Sequence, residues 1–190
     1  ASLLITITVN ASILGDTVNE SSVQIGEGTF YNHNQYYSTQ SGVYQQTENY
    51  IEYTPNASVM PIVTNGGYVH GTSTINQAQI YLTNSGLRPF AGINADFFSF
   101  SIGVPMSHTI IRGRVSTKDE QEMDAIGFSA NGTAFIDKLK INAVMEVGET
   151  EIDIPNINKY RQPYGPYLFT DEYNSTTKNS TQGIDVIIGD

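Results

Sequence analysis

Cysteine and tryptophan are both absent from the 190 residues. Without cysteine there is no disulfide framework, no thiolate nucleophile and no cysteine-ligated zinc site. A cysteine-free chain suits a secreted bacterial protein better than a small secreted eukaryotic domain. Positive charge is also scarce: 9 Lys and Arg stand against 19 Asp and Glu, for a net charge of −10. A nucleic-acid binder needs a basic footprint to displace counterions, and an anionic membrane surface makes the same demand. Both classes of partner are disfavoured. No apolar run is long enough to span a bilayer.

What is present is polar and aromatic. Charged residues make up only 15% of the chain, so polarity comes from Ser, Thr, Asn, Gln and Gly, with 12 Tyr. That balance fits a β-rich extracellular chain of one ordinary domain. The stretch Leu3 to Val9 is either a leading β-strand or the remnant of a signal peptide, with Val9-Asn10-Ala11 resembling a cleavage site. With leader removal, no membrane insertion is expected.

From Val18 to Tyr53, seven aromatic residues are scattered among polar ones, which predicts short strands with wide, wet loops. These tyrosines can stack on sugar rings or simply cover sheet surface. Asn65-Gly66-Gly67 signals a turn. Thr72 or Ser73 is then positioned to cap a helix over Thr74 to Ser85, with Ile75, Ala78 and Leu82 on one face and Gly86 at its end. Phe90 to Ile93 follows as a short apolar strand, with Phe97 and Phe98 assigned to the core. Ala125 to Phe128 and Ala134 to Ile136 form a hairpin across Asn131-Gly132. The clearest alternation places Leu139, Ile141, Ala143, Met145 and Val147 opposite Lys138, Lys140, Asn142 and Glu146. It resumes after Gly148-Glu149 with Ile152 and Ile154 opposite Glu151 and Asp153, as expected of an antiparallel hairpin with one wet face. Tyr167 to Phe169 and Ile184 to Ile188 supply two more strands. A chain ending on a strand looks cut. The expected class is α+β: sheet-dominated, mostly antiparallel strands and hairpins, with one main helix over about 74–85.

No phosphate loop, dinucleotide fingerprint, calcium loop or nucleophile elbow is present, and no cofactor is expected. His33, His70 and His108 lack metal-ligand spacing, so no metal site is expected. The acidic residues Asp119, Glu120, Glu122 and Asp124 fit a solvated turn. The segment GINADFF (92–98) is different, because an apolar run ends abruptly in an amide and a carboxylate beside the turn-forming GVP (103–105). Asn94 and Asp96 are either strand-end residues that satisfy loop amides or part of a site.

The order of segments resembles the phosphodiester glycosidase family, of the N-acetylglucosamine-1-phosphodiester α-N-acetylglucosaminidase type. The matching pieces are YIEYTPN (50–56), GINADFF, GVP, HTIIRGR (108–114), AIGFSANGTAFI (125–136) and INKYR (157–161). The resemblance covers residues 45 to 190. The family's glycine-rich second half has no counterpart here, which implies that residues 15–190 are the N-terminal part of such a domain. The C-terminal remainder of that domain is then its expected partner. The resemblance implies a secreted or cell-envelope protein of bacterial type acting on a sugar-1-phosphodiester. Asp96 and Asn94 become catalytic candidates, while Arg112, Arg161 and His108 become substrate-binding candidates. Such chemistry passes through an oxocarbenium-like state that a carboxylate can serve, and guanidinium groups suit phosphate oxygens. Ordinary structural pairing is the competing role for both arginines. A non-catalytic carbohydrate-binding or cell-wall interaction module is the alternative function, and a purely structural surface domain is a third.

Overall fold

A computed structural model describes residues 15–38, 44–180 and 182–188. The expectation for Leu3 to Val9 lies outside the described residues. Contacts divide the chain into two units, Ala1–Met60 and Pro61–Asp190. The fold is α+β and sheet-dominated, mostly antiparallel, with one helix among the described residues.

The first unit holds β1 (Asp16–Gly26), β2 (Thr29–Ser38) and β3 (Tyr44–Tyr53), paired antiparallel in the order β1-β2-β3. These strands are long, not the short ones predicted. None has proline, and β2 and β3 have no glycine either, so nothing interrupts the ladder. The β2–β3 register runs without a slip from Thr29↔Tyr53 to Ser38↔Tyr44. In the β1–β2 register, two irregularities leave Val18 and Ile25 out of the pairing.

The second unit contains the helix and four strand pairs. Helix α1 (Ile75–Asn84) is capped by Thr74 rather than by Thr72 or Ser73. The reason is local: Gln77 stands three residues beyond Thr74, so each can satisfy the other's backbone. Thr74 Oγ1 accepts from the Gln77 amide at 3.2 Å and Gln77 Oε1 accepts from the Thr74 amide at 2.8 Å. At the other end Gly86 takes φ 83°, which lets the amides of Gly86 and Leu87 reach the Thr83 and Leu82 carbonyls. Of its expected apolar face, Ala78 and Leu82 are half-buried and Ile75 is exposed.

Strands β4 (Thr109–Ile111) and β5 (Arg114–Thr117) form one hairpin, and β6 (Met123–Phe128) and β7 (Ala134–Leu139) another. β8 (Val144–Val147) and β9 (Thr150–Asp153) turn at Gly148-Glu149, as the alternation predicts. Ile141, Ala143, Met145 and Ile152 are half-buried and Ile154 is buried, while Lys140, Glu146, Glu151 and Asp153 are exposed. The last pair, β10 (Asn156–Ile157) and β11 (Tyr167–Leu168), is parallel.

A small core gathers Val69, Val104 and Tyr173, with Ile102 and Phe169 packed against it. Tyr173 meets Phe169 edge-on at 4.8 Å and His70 at 5.3 Å. Backbone bonds from Val69 to Glu172, His70 to Tyr173 and Gly71 to Ile102 lace three loops around it. A β-carbon at Gly103 (φ 74°) would fall on the Gly71 carbonyl, so this approach requires glycine.

Three expectations are corrected. Phe90 to Ile93 is not a strand, nor is Ile184 to Ile188; neither apolar run finds a partner strand among the described residues. Phe97 is 84% exposed and Phe98 partly exposed, so neither is core.

Candidate active site

Hairpin β4–β5 closes on Arg112 (φ 51°) and Gly113 (φ 79°), both in the left-handed region. Ile111 pairs with Arg114 across them, the geometry of a two-residue turn of the type that matches strand twist. Arg112 is exposed at this turn, a conformation that an arginine adopts at some cost. Beyond β5, Lys118 bridges Ile157 through two backbone bonds of 3.1 Å. That bridge brings the end of one hairpin beside the INKYR segment.

Within that segment Asn158 is fully buried at φ 53°. Its amide nitrogen donates to Ser116 O at 2.8 Å and Thr170 Oγ1 at 2.7 Å, and its oxygen accepts from the Thr170 amide at 2.8 Å. Three segments are thereby fastened at one side chain. Asn158 is thus a clamp, and the next residue reaches the groove.

Lys159 is 7% exposed. Its Nζ donates to Pro105 O at 2.7 Å and Ser107 O at 3.0 Å, with Asp119 Oδ2 at 3.9 Å. Burial pushes its pKa below the ordinary value, and the charges of Asp119 and Asp96 pull it partly back. Lys159 and Asp119 line a groove of about 540 Å³. Ser99, Ser101, Val104, Pro105 and Met106 contribute to its walls, as do Asn156, Tyr160, Gln162 and Tyr167.

None of the sequence-derived candidates is among the residues that line this groove. Asp96 sits at φ 37°, a strained conformation of the kind that collects at functional sites. Its Oδ2 accepts from Ser107 Oγ at 2.7 Å, and Ser107 in turn receives Lys159 at its carbonyl. Asp96 thus joins the lysine through one intervening residue. Asn94 is exposed in the same loop. His108 Nδ1 accepts from the Asp119 amide at 3.2 Å, so Nε2 carries the proton and donates to Gln121 O at 2.7 Å. Both ring nitrogens are therefore occupied in holding the loop that presents Asp119. Arg161, with its side chain 12% exposed, pairs with Asp185 at 3.1 Å and donates to Gln182 O at 3.0 Å. The structure brings Asp96, Ser107, His108, Asp119 and Lys159 into one connected network, holds Arg161 in contacts elsewhere, and leaves Arg112 exposed at the β4–β5 turn.

Residue type alone does not single out Lys159 or Asn158. The available signal was an asparagine and a lysine directly after the apolar Ile157, where surface charge is out of place. Asp119 sits at the expected turn, where its Oδ1 accepts from the Glu120 amide at 2.8 Å, and it also forms part of the groove wall. Among the described residues no group of three or more His, Asp or Glu gathers to hold a metal ion. No helix among them is long and apolar enough to cross a membrane. The chain matches no known family model, no curated protein and no solved structure.

Proposed function

We propose that this chain is the N-terminal part of a secreted or cell-envelope phosphodiester glycosidase that hydrolyses a sugar-1-phosphodiester of the N-acetylglucosamine type. The observation that carries this reading is Lys159: a buried cation lining a groove, with one carboxylate beside it and a second one residue removed. A fixed ammonium in a partly dehydrated site attracts phosphate oxygens far more strongly than a surface lysine does. Asp96 and Asp119 then serve the anomeric side, one helping water attack C1 while the C1–oxygen bond breaks and the phosphate monoester leaves. Asn94 supplies an exposed amide to the substrate. Arg112, exposed at its turn, supplies a guanidinium to the phosphate, and Arg161 does so after releasing Asp185. His108 contributes by holding the Asp119 loop.

Apolar exposure on the second unit supports completion of the domain by its C-terminal remainder. Ile126, Phe135 and Ile136 of the β6–β7 hairpin are all more than half exposed, a pattern that marks an interaction surface.

The test is release of free sugar from a sugar-1-phosphodiester by this chain, by a longer chain carrying the C-terminal remainder, and by the longer chain with Asp96→Asn. Activity in the longer chain only, reduced about 100-fold or more by Asp96→Asn, is expected. An inactive longer chain, or one indifferent to substitution of both Asp96 and Lys159, would overturn the proposal.

A further inference from the structure

The β1–β2–β3 sheet carries a second candidate site, built on different residues and argued without reference to the groove. Cross-strand register places Ser22, Asn32 and Tyr50 in one row, and Glu20, Asn34 and Glu48 in the next. Directly opposed residues share a face, so the six side chains stand together. Five of them, with Ser21 and without Glu48, line a hollow of about 330 Å³. That is at the small end of ligand pockets, which run to roughly 300–1,000 Å³.

Asn32 distinguishes this hollow from an ordinary polar sheet face. It is only 5% exposed, yet its Nδ2 has no hydrogen-bond partner. Buried amide donors are almost always paired, and an orphan calls for an explanation. Its neighbours, by contrast, are organised. Asn34 Nδ2 donates to Glu48 Oε2 at 3.3 Å and to the Tyr36 oxygen at 3.2 Å, and the Tyr36 hydroxyl donates to Glu48 Oε2 at 3.0 Å. Glu48 is therefore held in place while keeping acceptor capacity on its other oxygen. At the margin, Tyr50 leaves 42% of its surface exposed beside the orphan donor.

We infer that this hollow binds a neutral saccharide, with Asn32 Nδ2 donating to a ring hydroxyl oxygen, Glu20 accepting from other hydroxyls, and Tyr50 covering a C–H face of the ring. Three other ligand classes fit less well. An anion would meet the Glu20 carboxylate in a lining that holds neither Lys nor Arg. A hard cation seeks oxygen ligands, and the innermost group here is an N–H. An apolar ligand would leave Asn32 unsatisfied. A polyol both donates and accepts within one ring and offers an apolar face to an aromatic, which matches the groups present.

The experiment uses the ¹⁵N-labelled full chain, titrated separately with cello-, malto- and chito-oligosaccharides, calcium chloride and inorganic phosphate. The readouts are the Asn32 side-chain amide and Tyr50 backbone signals. Saccharide is taken up to about 50 mM, well above the millimolar range expected of a shallow open site. One of the oligosaccharides should shift both signals, and Tyr50→Ala should weaken its binding about tenfold. Asn32→Ser should abolish the shift at Tyr50. Should Asn32→Ser fail to fold, the half-exposed Tyr50→Ala decides alone, with signals of the β2–β3 ladder reporting that the sheet is intact. Three results overturn the inference: no shift with any of the oligosaccharides, shifts with calcium or phosphate in place of saccharide, or saccharide binding that Tyr50→Ala leaves unchanged.

Discussion

In the β1–β2–β3 meander, ladder bonds continue through ten consecutive residue pairs between β2 and β3, and among the described residues its buried side chains are the polar Thr29 and Asn32. Among the described residues of 61–190 no ladder exceeds six pairs, and the connections between hairpins fall to buried polar side chains: Ser116, Thr117, Lys118, Asn158 and Lys159. The first unit spreads its cohesion over many equivalent backbone bonds. The second concentrates it in a few side chains whose partners lie in other segments. A substitution in the meander should therefore cost little, and one at a clamp in the second unit should cost much.

The largest effect is expected for Asn158→Ala. It strands Ser116 O, Thr170 Oγ1 and the Thr170 amide inside the protein, at a cost of about 3–5 kcal/mol in total. Urea unfolding followed by tyrosine fluorescence measures it, and a loss below about 1 kcal/mol would erase the contrast between the units. Tyr31→Ala in the meander removes a hydroxyl bond to Asn49 Oδ1 at 2.7 Å and contacts with its cross-strand neighbours Val23 and Ile51. The same measurement should show about 0.5–1 kcal/mol.

The smallest effect at neutral pH is expected for Lys159→Met, because two lost bonds are offset by removal of a buried charge. Its signature lies in the pH dependence. The folded pKa of Lys159 is below its free value of 10.5, so between the two the unfolded chain binds more protons. Stability conferred by this residue therefore rises as pH climbs from the lowered pKa toward 10.5. Tyr173, its pKa raised by burial and by the Tyr160 charge, acts in the opposite direction above 10.0. The difference between wild type and Lys159→Met isolates the lysine: a rising difference is expected, and a flat one would contradict its burial as a charged group.

Sequence reasoning succeeded where neighbours along the chain decide the structure. The α1 region, the β6–β7 hairpin across Asn131-Gly132 and the β8–β9 hairpin at Gly148 all follow from caps, turns and alternation within a few residues. Even the misplaced cap was a shift by one or two residues, settled by the position of Gln77. It failed where an apolar run needed a distant partner. Ile184 to Ile188 has the composition of a buried strand, but composition cannot supply the adjacent strand, and Ile187 remains 94% exposed. The candidate site was legible to the same extent. Asp96 stood out because its loop is unusual in sequence, whereas Lys159 matters only through carbonyls more than 50 residues earlier in the chain.

The Asn158 clamp also bears on the order of folding. It draws together a carbonyl 42 residues upstream and a hydroxyl 12 residues downstream. Closing a loop costs chain entropy before any of these bonds repays it, and the longer closure is the costlier. The meander hairpins and α1 make near-neighbour contacts and can form first. Bonds completed after the rate-limiting barrier govern how fast a protein comes apart, not how fast it assembles. Stopped-flow measurements on Asn158→Ala should accordingly show faster unfolding with the refolding rate almost unchanged.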